Sequence, residues 1–72
     1  MTDSFDSTKL IGMKLGDAQA YAKSSNPRRI IRPVRINGEP QFVFHTYNSY
    51  RTNVAISRTE AGDIITAYVD DG

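Results

Sequence analysis

The sequence predicts an α+β fold: a single short helix packed on a small mixed β-sheet, with an extended loop or a hairpin over residues 34–47. Three observations predict it. One apolar stripe at helical spacing runs through residues 14–25 and stops at Pro27. Beyond Pro27 the apolar residues recur every second position, the period of a strand. Between two such runs stands Asn37-Gly38, the strongest short signal for a hairpin.

In the helix, Leu15, Ala18 and Ala22 form the stripe, with Ile11 one turn earlier, while Asp17, Gln19 and Lys23 are expected to face water. Lys14 stands where a Ser, Thr or Asp cap is usual, and Gly16 weakens the first turn by about 1 kcal/mol relative to Ala. Pro27 ends the helix because the residue before a proline avoids the α region. A helix this short needs tertiary packing to hold it.

The first strand is expected over 29–36, with Ile30, Val34 and Ile36 on one face, and the second over 41–47, with Phe42 and Phe44 on one face and Val43 on the other. Pro33 and Pro40 cannot donate to a ladder and belong at an edge or a bend. A third strand over 51–57 alternates Thr52, Val54 and Ile56. After a turn at 59–62, a last strand over 63–69 offers Ile64, Ile65, Tyr68 and Val69. The helix is expected to cover one face of the sheet.

With 72 residues, the chain has room for one domain, read as a flexible arm over 1–8 and a single α+β domain over 9–72. A domain of this size buries only about 60% of the surface its unfolded chain exposes, which leaves no room for an enclosed substrate cavity. Cysteine is absent, so disulfides, thiolate metal sites and Cys nucleophiles are excluded. His45 is the only histidine. No nucleophile and acid are spaced around it as a triad needs, and scattered carboxylates make no metal-ligand cluster with it. The expectation is a non-enzyme with no catalytic residue, no metal and no cofactor. The Ser/Asp-rich start lacks the apolar core of a signal peptide, and no apolar run approaches the roughly 20 residues that span a membrane. Together with the lack of cysteine, this predicts a cytoplasmic protein that does not contact membrane.

The net charge is +1 and the pI about 8.1, but the charges are unevenly placed. Lys23, Arg28, Arg29, Arg32, Arg35 and Arg51 occupy the middle of the chain, and Asp3, Asp6, Glu60, Asp63, Asp70 and Asp71 its ends.

The residues so assembled resemble the potato inhibitor I family, the eglin and barley chymotrypsin-inhibitor type, and its bacterial relatives. Ile11-Gly12-Met13-Lys14 and Asp17-Ala18 are similar to the family's entry into its helix, and Ile31-Arg32-Pro33 to its first strand. The most specific match is the ungapped run from Val43 through His45, Thr46, Tyr47 and Arg51 to Val54. Gly62, Ile64 and Gly72 match the closing turn and strand, so the resemblance covers about residues 10–72. It implies a serine-protease inhibitor of the kind whose exposed loop enters the protease cleft in extended form. Phe42, Val43, Phe44, His45, Thr46 and Tyr47 would be the partner-binding loop, His45 its primary residue, and Thr46 the residue after the scissile bond. Arg51 and Asn53 would be the loop supports. The chain departs from the family at Phe44, where a bracing Thr is usual; at Thr46, where an acid is usual; and at Asn53, where a second arginine is usual. It also carries extra residues over 34–41. Without the acid–arginine brace, the loop is expected to be less rigid than the family's.

The expected partner is therefore a protein, a serine protease or another target, engaged through the 42–50 loop. A non-inhibitory interaction module on the same fold, of the kind phage or bacterial cytoplasm can hold, is the alternative. A third reading takes Arg28, Arg29, Arg32 and Arg35 as phosphate contacts of a nucleic-acid-binding adaptor, with Tyr47, Tyr50, Phe42 and Phe44 as stacking groups. The modest pI disfavours nucleic acid. In isolation Phe42 and Phe44 read more readily as core than as contact residues, and Asp70-Asp71 as a solubilising end. The chain is expected as a monomer or a small homo-oligomer, the latter through the edge of the 29–47 hairpin.

Overall fold

The computed structural model describes residues 5–44 and 46–72; Met1 to Ser4 and His45, the expected primary residue, lie outside the described residues. One helix packs on a small mixed sheet of four strands. A single 3-10 turn, Ser7–Leu10, leads into helix α1, Leu15–Ser25. The strands are β1, Ile30–Ile36; β2, Glu39–Pro40; β3, Arg51–Thr59; and β4, Gly62–Asp71. Their order across the sheet is β2-β1-β3-β4. β1 and β3 run parallel, and β2 and β4 are antiparallel to their neighbours.

α1 begins after Lys14, which provides no side-chain cap, and ends at Asn26 before Pro27. Asp17 in its first turn and Lys23 in its last have the signs that the helix dipole favours. Ala18 and Ala22 are fully buried, and their small side chains let the helix axis come close to the sheet. The core they enter holds Leu10, Ile31, Val54, Ile56 and Ile65, with Met13, Leu15, Tyr21 and Ile36 packed around it. Leu10, on the 3-10 turn, fills the place expected for Ile11, which is 48% exposed. The turn itself points Leu10 inward, whereas the expectation for Ile11 extends a helical period across a segment that is not helical.

Gln19 does not face water. Its carboxamide donates to the Ile31 carbonyl at 2.9 Å and accepts from the Ile31 N–H at 3.2 Å. It thus acts as one residue of an additional strand on the outer edge of β1. This explains the strand that does not form. β2 pairs with β1 only at Ile36↔Glu39 and Arg35↔Pro40, and Gln41 N adds a last bond to Val34 O. A longer β2 would next need the edge of β1 that Gln19 occupies. A bulge between Pro33 and Arg35 further breaks the line, so residues 41–44 and 46–48 belong to no strand. The same bulge corrects the inner face of β1: Ile31 and Ile36 meet the core, while Ile30 and Val34 are only partly buried.

The hairpin turn is as the sequence predicts. Asn37 and Gly38 both have positive φ, 53° and 84°, the pattern of a two-residue hairpin turn. Asn37 also ties this turn to β3: its N–H donates to Ile56 O and its Oδ1 accepts from Arg58 N. On β3, Thr52, Val54 and Ile56 are all buried, as their alternation predicts. In β4 only Ile65 reaches the core, and Tyr68 and Val69 are exposed. Its register with β3 is irregular at two points, between Asn53 and Val54 and between Ala55 and Ile56.

Of the segment read as an arm, Phe5 to Thr8 are described. The rings of Phe5 and Tyr21 meet edge to face at 5.4 Å, and Asp6 N donates to the Tyr21 hydroxyl at 3.0 Å.

Candidate binding loop

The chain leaves β2 at Pro40 and re-enters the sheet at Arg51, beside β1 and parallel to it. Parallel neighbours cannot be joined by a tight turn, so the connection must cross from one end of the sheet to the other. Along that connection Gln41, Phe42, Phe44, Thr46, Tyr47 and Ser49 are exposed, and Val43, Asn48 and Tyr50 are partly buried. Phe42 is 92% exposed, Phe44 75% and Tyr47 81%, while Val43 is partly buried. The expectation that Phe42 and Phe44 are core side chains is therefore corrected: with no strand over residues 41–44 or 46–47, they have no sheet face to line.

The loop is anchored from below. Arg51, at the first position of β3, donates to Thr46 O at 2.9 Å and reaches Gly72 O at 3.5 Å. Arg32, in the middle of β1, donates from Nη1 to Phe44 O at 3.2 Å. Its Nε donates to Asn53 Oδ1 at 2.9 Å. Two guanidinium groups on adjacent strands thus hold carbonyls on either side of position 45. Asn53 is 5% exposed and uses its whole carboxamide, with Nδ2 donating to Asp70 Oδ1 at 2.7 Å and to Gly72 O at 3.2 Å. A buried amide so fully paired is a stiff part. It links β4 to Arg32, which in turn bonds the Phe44 carbonyl.

The C-terminal end of the loop closes on itself. Asn48 Oδ1 accepts from Tyr50 N at 2.9 Å, and Asn48 O accepts from Arg51 N at 3.0 Å. Tyr50 O then takes the Ile30 N–H, which begins the parallel ladder. Gly72 lies so close to Tyr47 that a Cβ there would stand 3.3 Å from the ring. Beneath the loop is an open cleft of about 240 Å³ lined by Arg32, Thr46, Tyr47, Asn53, Asp70 and Gly72, among others.

Of the residues expected as supports, Arg51 bonds a loop carbonyl directly, whereas Asn53 reaches the loop only through Arg32. In the sequence Arg32 reads as a phosphate contact. Its role as a brace is hidden there because it depends on the register Arg32↔Asn53 between strands far apart in sequence. Asp70 and Asp71 are not merely a solubilising end: Asp70 holds Asn53, and Asp71 Oδ1 accepts from Thr52 Oγ1 at 3.2 Å. Of the four arginines expected at phosphate, three have separate engagements. The Arg28 guanidinium lies over the Tyr50 ring at 5.8 Å and that of Arg29 over Phe5 at 4.4 Å; Arg32 braces the loop, and Arg35 is exposed beyond the bulge.

Among the described residues no three acidic or histidine side chains gather to hold a metal ion. No helix of the described residues is long and apolar enough to cross a membrane. No protein-family model matches the chain, and no curated protein or solved structure matches it either.

Proposed function

We propose that this protein is a small inhibitor that binds a serine protease through its exposed 42–50 loop, in the manner of the potato inhibitor I family, and performs no chemistry of its own. The observation that carries this reading is the pair of braces: Arg32 holds Phe44 O and Arg51 holds Thr46 O, on a loop whose aromatic side chains face solvent. A loop already held in shape loses little conformational entropy on docking, so more of its contact energy appears as affinity. The braces also act after cleavage. If the bond between residues 45 and 46 is cut, Arg32 retains the upstream end and Arg51 the downstream end. The new termini stay close, and the cut loop does not leave the cleft.

The departures from the family fit one substitution of parts. The second support arginine is replaced by Asn53, and the guanidinium it would have supplied comes from Arg32 on the neighbouring strand. The test is inhibition of subtilisin and chymotrypsin by the intact protein. Tight inhibition that disappears in His45→Pro supports the reading. Digestion of the loop by both enzymes without inhibition overturns it, and a protein partner that survives His45→Ala would point instead to a non-inhibitory module on the same fold.

A further inference from the structure

Resting on the inhibitor reading, we infer that Phe42 and Phe44 determine which target is bound, entering together an apolar, uncharged cleft on the upstream side of the 45–46 bond. The two rings are 5.9 Å apart and inclined at 76°, so they touch edge to face. They are two residues apart, which puts their side chains on one side of an extended segment. They are among the most exposed large apolar side chains of the described protein, and they form a ridge rather than scattered singles.

Charge complementarity selects the partner. Residues 40–50 carry no formal charge apart from the titratable His45, although Glu39 and Arg51 flank them and 24% of the chain is charged. Of the nearby cations, Arg51 faces the Thr46 and Gly72 carbonyls, Arg32 the Phe44 carbonyl, and Arg28 lies over the Tyr50 ring at the end of the loop away from the two rings. The surface on offer is therefore aromatic and neutral. A cleft lined by carboxylates or by arginines would lose its solvation against this ridge and receive no counter-charge in return. Nucleic acid would find rings to stack on but no lysine or arginine within the segment to meet its phosphates.

The experiment measures inhibition constants for subtilisin and chymotrypsin at about 0.05 and 0.5 M NaCl, which changes the screening length several-fold. The proteins are the parent, Phe42→Ala, Phe44→Ala, the double variant, and Glu60→Ala as a control at the distant β3–β4 turn. Each Phe→Ala change is expected to raise the constant about tenfold or more, as truncated aromatic anchors do. The double variant should lose less than the product of the two because the rings touch. Glu60→Ala and added salt should each change it less than about threefold. Inhibition by the parent that both Phe→Ala changes leave within about threefold, or that salt weakens tenfold, overturns this inference and leaves the inhibitor reading standing. No inhibition of either enzyme overturns the inhibitor reading, and this inference with it. Thermal midpoints of all variants should match the parent, since neither ring is buried.

Discussion

β3 and the loop that precedes it carry the same alternation of side chains to opposite ends. On β3, Thr52, Val54 and Ile56 are all buried against the helix and its neighbours. In the loop, Phe42 and Phe44 stand at the same spacing, and both are exposed. β3 has a strand on each side to satisfy its backbone and α1 against its inner face. The loop has neither, and its carbonyls are met instead by arginine side chains. Period-two alternation therefore reports an extended chain and says nothing of what its apolar face will meet. In β3 that partner is within the molecule. In the loop the same spacing leaves the rings in solvent.

The largest expected effect tests this contrast directly. Ile56→Ala should cost about 2–5 kcal/mol, a large-to-small change at a closed site. Phe42→Ala should stay within about 0.5 kcal/mol, because its ring has little contact to lose. Urea unfolding midpoints decide it. Equal losses in the two variants would mean that the loop packs on the body in solution.

Next come the parts that join the two regions. Asn53→Ala should cost about 1–3 kcal/mol, since it leaves the Asp70 carboxylate, the Gly72 carbonyl and the Arg32 guanidinium short of a buried partner. It should also speed cleavage of the loop by a non-target protease, measured as the appearance of nicked chain. Arg32→Ala should bring the same faster nicking with a smaller loss of stability, as it removes a brace on an exposed carbonyl. If nicking is unchanged in Arg32→Ala while Asn53→Ala is destabilised, the network holds up β4 and not the loop.

These parts also separate what can be read in the sequence from what cannot. The helix stop at Pro27, the Asn37-Gly38 turn and the buried face of β3 result from local chemistry, and each is present as expected. The absence of strand over residues 41–44 and 46–47 is not a local matter. It depends on Gln19, more than twenty residues earlier, occupying the edge of Ile31. The inner face of β1 is likewise displaced by a bulge that no single residue announces. Arg32 is the clearest case. As one of a run of arginines it suggests phosphate; only the parallel pairing of β1 with β3 sets it beside Asn53 and under Phe44. The loop is legible as a region, and its supports are legible only in part.

Gln19→Leu probes the edge that excludes the loop from the sheet. The substitution removes both hydrogen bonds to a part-buried backbone and should cost about 1–3 kcal/mol. It should also raise hydrogen exchange at Ile31. A protein that instead lengthens β2 would show new protection at residues 42–44, and the comparison between strand and loop would then turn on one side chain. Gly38→Ala is expected to be milder, about 1 kcal/mol, because a Cβ meets no atom there and the cost is only the positive φ of 84°.

The smallest effect lies where the chain first docks on the helix. Asp6 caps the 3-10 turn: its carboxylate accepts from the Thr8 hydroxyl at 2.6 Å and from Thr8 N at 3.0 Å. Those bonds hold its pKa below the usual 3.8, with the Thr8 hydroxyl contributing most. Because the folded value is depressed, the unfolded chain takes up the proton first as pH falls. The stabilisation is thus complete well above 3.8 and is lost as pH falls below that value through the folded pKa. Asp6→Asn keeps an oxygen for capping and removes the titration, so the stability gap between parent and variant should be constant near neutrality and close in acid. A gap that does not change with pH would assign the effect to the shape of the cap rather than its charge. In either case Phe5 stays against Tyr21 and under the Arg29 guanidinium, beside the end of β1 where the loop returns to the sheet, so an unchanged rate of loop nicking in Asp6→Asn would separate the braces at Arg32 and Arg51 from this cap.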